Sequence, residues 1–231
     1  MGKHRLGLLT LLTLLLAWTG VTAQEQDREP TPWETFPSKH QVGLRLGAWN
    51  NRGDKPPEGG SGGDFSFRTH ISNANFYFEG FAAYRLARPL MAELSIGIVN
   101  RGSVTLNEGS VTDVGNLLIY PMLVHLKFYP LGGLDARFQP YLTAGGGLYY
   151  GRRNVQITTS YYYSGFAEES STKFGYCLGG GVDWPFSQII GLDLNIRYMP
   201  IKYSDPLVTV SDFSAFTVAV GVKYLYAGRK K

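Results

Sequence analysis

The feature that most restricts what this chain can fold into is a strict two-residue alternation in its last stretch, residues 213–226, FSAFTVAVGVKYLY. From Phe216 every second residue is large and apolar (Phe216, Val218, Val220, Val222, Tyr224, Tyr226), and Thr217, Ala219, Gly221, Lys223 and Leu225 lie between them. Successive side chains of a strand point to opposite faces, so this stretch reads as a strand with one fatty face and one mostly small or polar face. The pattern recurs in segments 41–49, 75–86, 90–99, 117–129, 138–150, 173–184 and 191–198, which makes eight strands with 213–226.

The connections alternate in length. Segments 50–74, 100–116, 151–172 and 199–212 are long and rich in Gly, Ser, Thr and charge, whereas 87–89, 130–137 and 185–189 are short. Long loops on one side and short turns on the other are expected of an up-and-down transmembrane barrel, not of a Greek-key sandwich. The strands also exceed the usual five or six residues and match the roughly 9–11 that a tilted strand needs to cross a bilayer. The fold class expected is therefore all-β, an eight-stranded antiparallel up-and-down transmembrane β-barrel. A mean hydropathy of −0.11 fits, because lumen residues dilute the lipid-facing ones at every second position. Aromatics are expected in interfacial belts: Tyr84, Phe128, Tyr129, Phe138, Trp184, Phe186, Tyr224 and Tyr226 at the short-turn end, and Trp49, Phe76, Tyr149, Tyr150 and Tyr198 at the other.

Lys3, His4 and Arg5 precede a Leu-rich run to Ala17, and Val21-Thr22-Ala23 is a small-residue cleavage site, so residues 1–23 read as an export signal peptide. Residues 24–39, with Pro30, Pro32 and Pro37, read as a flexible periplasmic lead-in, 40–226 as the outer membrane barrel, and 227–231 as a short basic tail. Loss of Lys3 and Arg5 from 22 basic residues leaves 20 against 18 acidic ones, too weak and dispersed a balance for a nucleic-acid partner. Cys177 is the only cysteine, so no internal disulfide staples the fold; it reads as a small wall residue among glycines. The runs Gly145-Gly146-Gly147 and Gly179-Gly180-Gly181 let backbones approach in a narrow, curved wall; neither precedes a helical pattern, as a phosphate-cradling loop would.

Parity aims Arg45, Glu79, Arg85, Glu93, His125, Lys127, Lys173, Asp183, Asp193, Arg197 and Lys223 into the lumen. Buried charges must be paired, and a turn centred at Pro89 would set Arg85 opposite Glu93, with Lys223 level with Asp193 on the next strand. Two readings stay open: a salt-bridge ladder that plugs the lumen, and a gated polar constriction. A lipid-modifying catalytic site needs a His, a Ser and an acid converging on the lipid-facing outside, but His125 points inward and Lys127 follows it, so no catalytic residue, metal site or cofactor is expected and the chain is not read as an enzyme. Tyr161, Tyr162, Tyr163 and Phe166 form an aromatic cluster in the third long loop, suited to surface contact. A soluble, lipocalin-like barrel would need the apolar face turned inward.

The run from Tyr120 to Tyr150, with Pro121, Lys127-Phe128-Tyr129 and Gln139-Pro140-Tyr141-Leu142-Thr143-Ala144-Gly145-Gly146-Gly147, resembles the eight-stranded outer membrane β-barrel superfamily with its OmpW, OmpX and OmpA-barrel branches. Phe174-Gly175, Gly179-Gly180-Gly181-Val182-Asp183 and Leu192-Asp193-Leu194-Asn195-Ile196-Arg197-Tyr198 are most similar to the OmpW branch. The last strand resembles the assembly signal of such barrels: Gly221, Tyr224 and Tyr226 fit Gly-x-x-aromatic-x-aromatic, although Ala219 stands where a polar residue is usual and residues 227–231 extend past the final aromatic. The resemblance spans roughly residues 42–226 and is specific for fold more than for function. It implies a monomer in the outer membrane of a Gram-negative-type bacterium, contacting lipid, lipopolysaccharide and the outer membrane assembly machinery. It further implies a narrow porin-like channel or binding site for small solutes, hydrophobic ones among them. The alternative is a structural or adhesive surface barrel with a plugged lumen that acts through its extracellular loops, and a lipid A-modifying barrel enzyme ranks below both.

Overall fold

The computed structural model describes residues 30–53, 66–108, 110–132, 134, 136–158, 164–207 and 210–227. The chain divides after Pro30, and the unit that begins at Thr31 is the one described below. A short helix α1 (Pro32–Thr35) and a 3-10 turn (Phe36–Ser38) lead into β1 (Lys39–Asn51). After β2 (Ser66–Ile71) come β3 (Ala74–Ala87), β4 (Leu90–Glu108), β5 (Ser110–Phe128), β6 (Gln139–Thr158), β7 (Ser164–Pro185) and β8 (Ile190–Met199); the small pair β9 (Lys202–Leu207) and β10 (Val210–Asp212) precedes β11 (Ala215–Ala227). In the cyclic order β1, β3, β4, β5, β6, β7, β8, β11, each strand pairs antiparallel with the next. β11 returns to β1 from Lys39 opposite Ala227 to Asn51 opposite Ala215, which closes an eight-stranded barrel.

The alternation in sequence becomes an inside and an outside. Val220, Val222, Tyr224 and Tyr226 of β11 are exposed on the outer wall, while Ala219, Gly221, Lys223 and Leu225 are buried inside it. Leu44, Leu94, Val124, Leu142 and Leu194 continue the apolar exterior on other strands. Among the described residues no helix is long and apolar enough to cross a membrane; the apolar surface belongs to strands. At the short-turn rim the exterior carries aromatic groups, with His40 stacked on Tyr84 at 4.2 Å and Phe138 and Trp184 in ring contact at 5.8 Å.

Three expectations need correction. Segments 100–116 and 151–172 are not loops throughout: β4 and β5 stay paired to Glu108 opposite Ser110, and β6 and β7 to Thr158 opposite Ser164. These projecting hairpins lack the lipid-facing alternation, but Val, Ile and Thr keep them extended. Within the first long connection, β2 pairs with the upper part of β4 from Ser66 opposite Asn107 to Ile71 opposite Gly102. Third, the described part of the lead-in is folded: the Glu34 carboxylate accepts from the Thr31 N–H at 2.5 Å at the start of α1, the Glu34 N–H donates to the Thr31 carbonyl, and Phe36 and Pro37 are buried. Its prolines sit where the local structure tolerates them, at the start of a helix and of a 3-10 turn. Pro121 lies inside β5 without a bulge on the β6 side, where it stands opposite Tyr149. The β4 side shows the cost of its missing N–H: the ladder passes from Ile96–Met122 to Val99–Ile119 with nothing paired between.

The glycine runs have a definite steric purpose. A Cβ on inward Gly179 would lie 2.8 Å from Cγ of Arg197, one on Gly221 2.9 Å from Cγ of Arg45, and one on Gly145 3.0 Å from Nδ1 of His125. On the lipid face, a Cβ on Gly80 would meet only Leu44 Cδ2 at 3.7 Å. Gly179→Val should therefore destabilise the barrel by about 1–3 kcal/mol through overpacking, read as a lowered urea midpoint for protein folded into lipid vesicles, while Gly80→Ala should leave the midpoint unchanged.

Candidate functional site

The lumen is organised in layers, and the middle one is ionic. Two rows of register build most of it. In the first, Glu79 of β3 faces Arg45 of β1, Arg45 faces Gly221 of β11, Gly221 faces Asp193 of β8, and Asp193 faces Asp183 of β7. Because Gly221 has no side chain, Arg45 reaches past it and its Nε donates to Asp193. The same guanidinium donates from Nη1 to Glu79 at 2.5 Å and, in a two-pronged contact, from Nη1 and Nη2 to Glu93 at 2.8 Å each. One cation is thus clamped by carboxylates from three strands, with all four residues essentially inaccessible.

Neighbouring pairs extend this cluster across the barrel. Arg197 of β8 donates from Nη2 to both oxygens of Glu79 at 2.7 and 2.9 Å, Lys127 of β5 lies 2.6 Å from Glu93, and Lys223 of β11 lies 2.5 Å from Asp183. Tyrosines add donors to the carboxylates: Tyr141 donates to Asp193 at 2.8 Å, Tyr129 to Asp183 at 2.8 Å, and Tyr77 to Glu79. Four cations (Arg45, Lys127, Arg197, Lys223) and four carboxylates (Glu79, Glu93, Asp183, Asp193) are therefore held against one another rather than along an open path. Desolvated charges are tolerated only when paired in this way.

Two expected pairings are replaced. Arg85 stands opposite Met91, and Glu93 opposite Ala83, because the β3–β4 register shifts between Arg85 and Ala87. Lys223 stands opposite Gly191, not Asp193, and takes Asp183 two strands away as its partner, since Arg45 already occupies Asp193. Lys173 sits higher and donates to Ser204 at 3.2 Å.

His125 occupies the second row, opposite Glu93 on one side and Gly145 on the other, with Cys177 beyond Gly145. The missing glycine side chain lets His125 Nδ1 approach Cys177 Sγ to 3.2 Å, while Nε2 lies 3.1 Å from Ser95 Oγ and 3.3 Å from Arg197 Nη1. A guanidinium, which can only donate, competes with the serine for Nε2, and a thiol rather than a carboxylate orients the other nitrogen. This geometry does not activate Ser95 as a nucleophile. Among the described residues no group of three or more His, Cys, Asp and Glu is placed to hold a metal ion.

The layer at the short-turn end is closed by the lead-in. Phe36 enters the barrel end beside Met91, Tyr129, Tyr141 and Leu225. Arg85 lies over it, with its guanidinium carbon 4.6 Å from the centre of the Tyr129 ring and 5.2 Å from that of Phe36, and it donates to the carbonyls of Arg88 and Phe36. Thr35 and Lys39 fasten this plug to Gln188 in the turn before β8.

The extracellular layer is apolar. Trp49, Tyr77, Leu117, Ile119, Tyr149, Met199, Tyr203 and Phe213 line it and are all buried. Trp49, Tyr149 and Tyr129 therefore leave the interfacial belts assigned to them; each sits at an odd-numbered, inward position, so parity outweighs aromatic character. Arg101, also buried here, lies in segment 100–116, whose composition reads as a loop, although Met91, Glu93, Ser95 and Val99 run directly up to it in inward parity. On the outer wall, the β3–β4 ladder stops at Tyr77–Val99, and a notch of about 610 Å³ opens there between Ser72, Asn75, Phe76, Ile98, Asn100 and Leu118.

Of the remaining expected residues, Gly221 is buried against Arg45, whereas Tyr224 and Tyr226 stack on each other on the outer wall at the periplasmic rim. Residues 161–163 lie outside the described residues, and Phe166 belongs to β7 opposite Gln156, with its side chain likewise outside the description.

Comparison with solved structures finds the same architecture. The crystal structure of the outer membrane protein OprG from Pseudomonas aeruginosa is 16% identical, with a TM-score of 0.53 over 83% of this chain and 97% of that one. Neisserial surface protein A is also 16% identical, with a TM-score of 0.51 over 82% and 97% of the two chains. No curated protein matches the sequence. Residues 13–224 match the family of the outer membrane protein beta-barrel domain. With its closed eight-stranded wall, apolar exterior and filled lumen, the chain belongs to that family and resides in the outer membrane.

Proposed function

We propose that this protein is a closed barrel that receives a small, largely apolar solute in the extracellular half of its lumen, with the ionic layer beneath barring a continuous water-filled path. The observation that carries this reading is the change of character along the inward face. Apolar and aromatic side chains lie above Glu79 and Arg197, and mutually paired charges lie at and below them. An eight-stranded barrel has room for its own side chains or one small ligand, and an apolar layer with few polar groups suits a ligand better than ions. His125 with Ser95, Cys177 and Arg197 serves packing in this reading, and the protein is not an enzyme.

A second reading has its own observation. β6 and β7 run for 20 and 22 residues, roughly twice the 9–11 that a tilted strand needs to cross the membrane. The excess forms a paired hairpin suited to meeting a partner at the cell surface, with Phe166 on β7 and the sequence run Tyr161, Tyr162 and Tyr163 outside the described residues.

In planar lipid bilayers the purified protein should show no steady ionic conductance, and Glu93→Gln should remain silent because Arg45 keeps Glu79 and Asp193; stepwise conductance in the unaltered protein would sink the closed-lumen reading. Removal of residues 156–167 should leave solute binding and uptake intact. If that deletion abolishes adhesion to host cells while uptake was never present, the surface reading replaces the first.

A further inference from the structure

Among the described residues, Arg101 is the one lumenal guanidinium left with most of its donors unused. Its side chain is fully buried, yet only Nη2 has an acceptor, the side-chain oxygen of Asn51; Nε and Nη1 have none. Among the described residues no carboxylate pairs with it. The nearest layer of acids is committed elsewhere: Glu79 binds Arg45, Arg197 and Tyr77, and Glu93 binds Arg45 and Lys127. A guanidinium does not give up its proton, so it cannot relieve burial by becoming neutral. Arg85 is different, since both of its terminal nitrogens reach carbonyls.

The surroundings of Arg101 point to one kind of ligand. Its guanidinium carbon lies 5.6 Å from the centre of the Trp49 ring and 5.7 Å from that of Phe213. Trp49 Nε1 is a second buried donor without an acceptor. Tyr203, Ile201 and Met199 complete the apolar neighbourhood, and Tyr203 meets Phe213 edge to face at 5.5 Å. One permanent positive charge, several idle N–H donors and an otherwise fatty lining match a compact monoanionic head on an apolar body.

We propose that Arg101 and Trp49 form the head-group subsite of the extracellular compartment and that its ligand is an amphipathic monocarboxylate of modest length. The carboxylate accepts from Arg101 and from Trp49 Nε1, and the hydrocarbon lies against Met199, Ile201, Tyr203 and Phe213. A carboxylate suits the site because its acceptor-only oxygens take several donors at once, and charge-assisted hydrogen bonds of this kind are about twice as strong as neutral ones. Entry requires Phe213 and Tyr203 to move aside. Both belong to the last extracellular connection, which is held to itself by the backbone bond from Phe213 N–H to the Ile201 carbonyl and by the bond from Ile201 N–H to Ser214 Oγ. This assignment rests on the solute-compartment reading above and names the class of solute.

The two are separated by titrating the full-length barrel in lipid nanodiscs with octanoate and with octan-1-ol, using empty nanodiscs as the blank. The unaltered protein should bind octanoate at least about tenfold more tightly than the alcohol, the scale on which a lost charged partner is felt in a dry site. Arg101→Gln should bring octanoate to the level of the alcohol without changing the alcohol. Trp49→Phe keeps the ring but removes its donor, so it should weaken octanoate alone; this variant carries the test if Arg101→Gln fails to fold. Equal binding of both compounds by the unaltered protein, or a preference for octanoate that survives both substitutions, overturns the carboxylate subsite and leaves the solute compartment standing. Absence of binding by either compound overturns both.

Discussion

In a bilayer core, a backbone N–H or C=O has no water to bond, so a spanning sheet is stable only when it has no edge. The pairing of β11 with β1 removes that edge here, and everything else in the structure follows from it. Closure forces every strand to have an inside and an outside, and the exterior is then decided by lipid: aliphatic side chains along the wall, with aromatic groups such as Tyr84, Trp184 and Tyr226 at the short-turn rim. The single β5 proline illustrates the same demand locally, since its ladder is complete toward β6 and interrupted only toward β4.

Closure also creates a narrow interior that must be filled, and this barrel fills it by alternating bulk with absence along rows of register. Arg45 reaches Asp193 across Gly221, and His125 reaches Cys177 across Gly145. The large inward side chains and the inward glycines are thus two halves of one packing solution. The four cations and four carboxylates so assembled pair with one another, which makes the middle of the lumen a partition. Removing one member of such a cluster would leave its partners buried and uncompensated, at a cost of about 3–5 kcal/mol.

On either side of that partition the lumen serves different ends. At the short-turn end, Phe36 of the lead-in packs beneath Arg85 and against Tyr129 of the barrel. At the other end, an apolar layer packs around Arg101, whose Nε and Nη1 have no acceptor among the described residues. A wall built for lipid, a partition built from ion pairs and a packed layer rich in aromatic groups are three consequences of placing three kinds of side chain on the inward or outward side of the same eight strands.

The division between sequence and structure runs along the same lines. Alternation in 213–226 and its seven counterparts was enough to establish strands, their inward and outward faces, the barrel and its membrane, because lipid and lumen select side chains at every second position, and that selection is local. It also identified which charges turn inward, from Arg45 to Lys223. Parity carried less far where the sequence lacks the lipid-facing alternation, as in the paired β4–β5 and β6–β7 extensions and at Arg101. Aromatic residues misled where belts were assumed ahead of parity, as at Trp49, Tyr129 and Tyr149. What only the tertiary structure decided is who meets whom: Lys223 with Asp183, Arg45 with three carboxylates at once, and Phe36 with the barrel's lower mouth. Those contacts depend on strand register and on side chains reaching across a closed lumen, and neither is encoded in the two-residue period that made the rest legible.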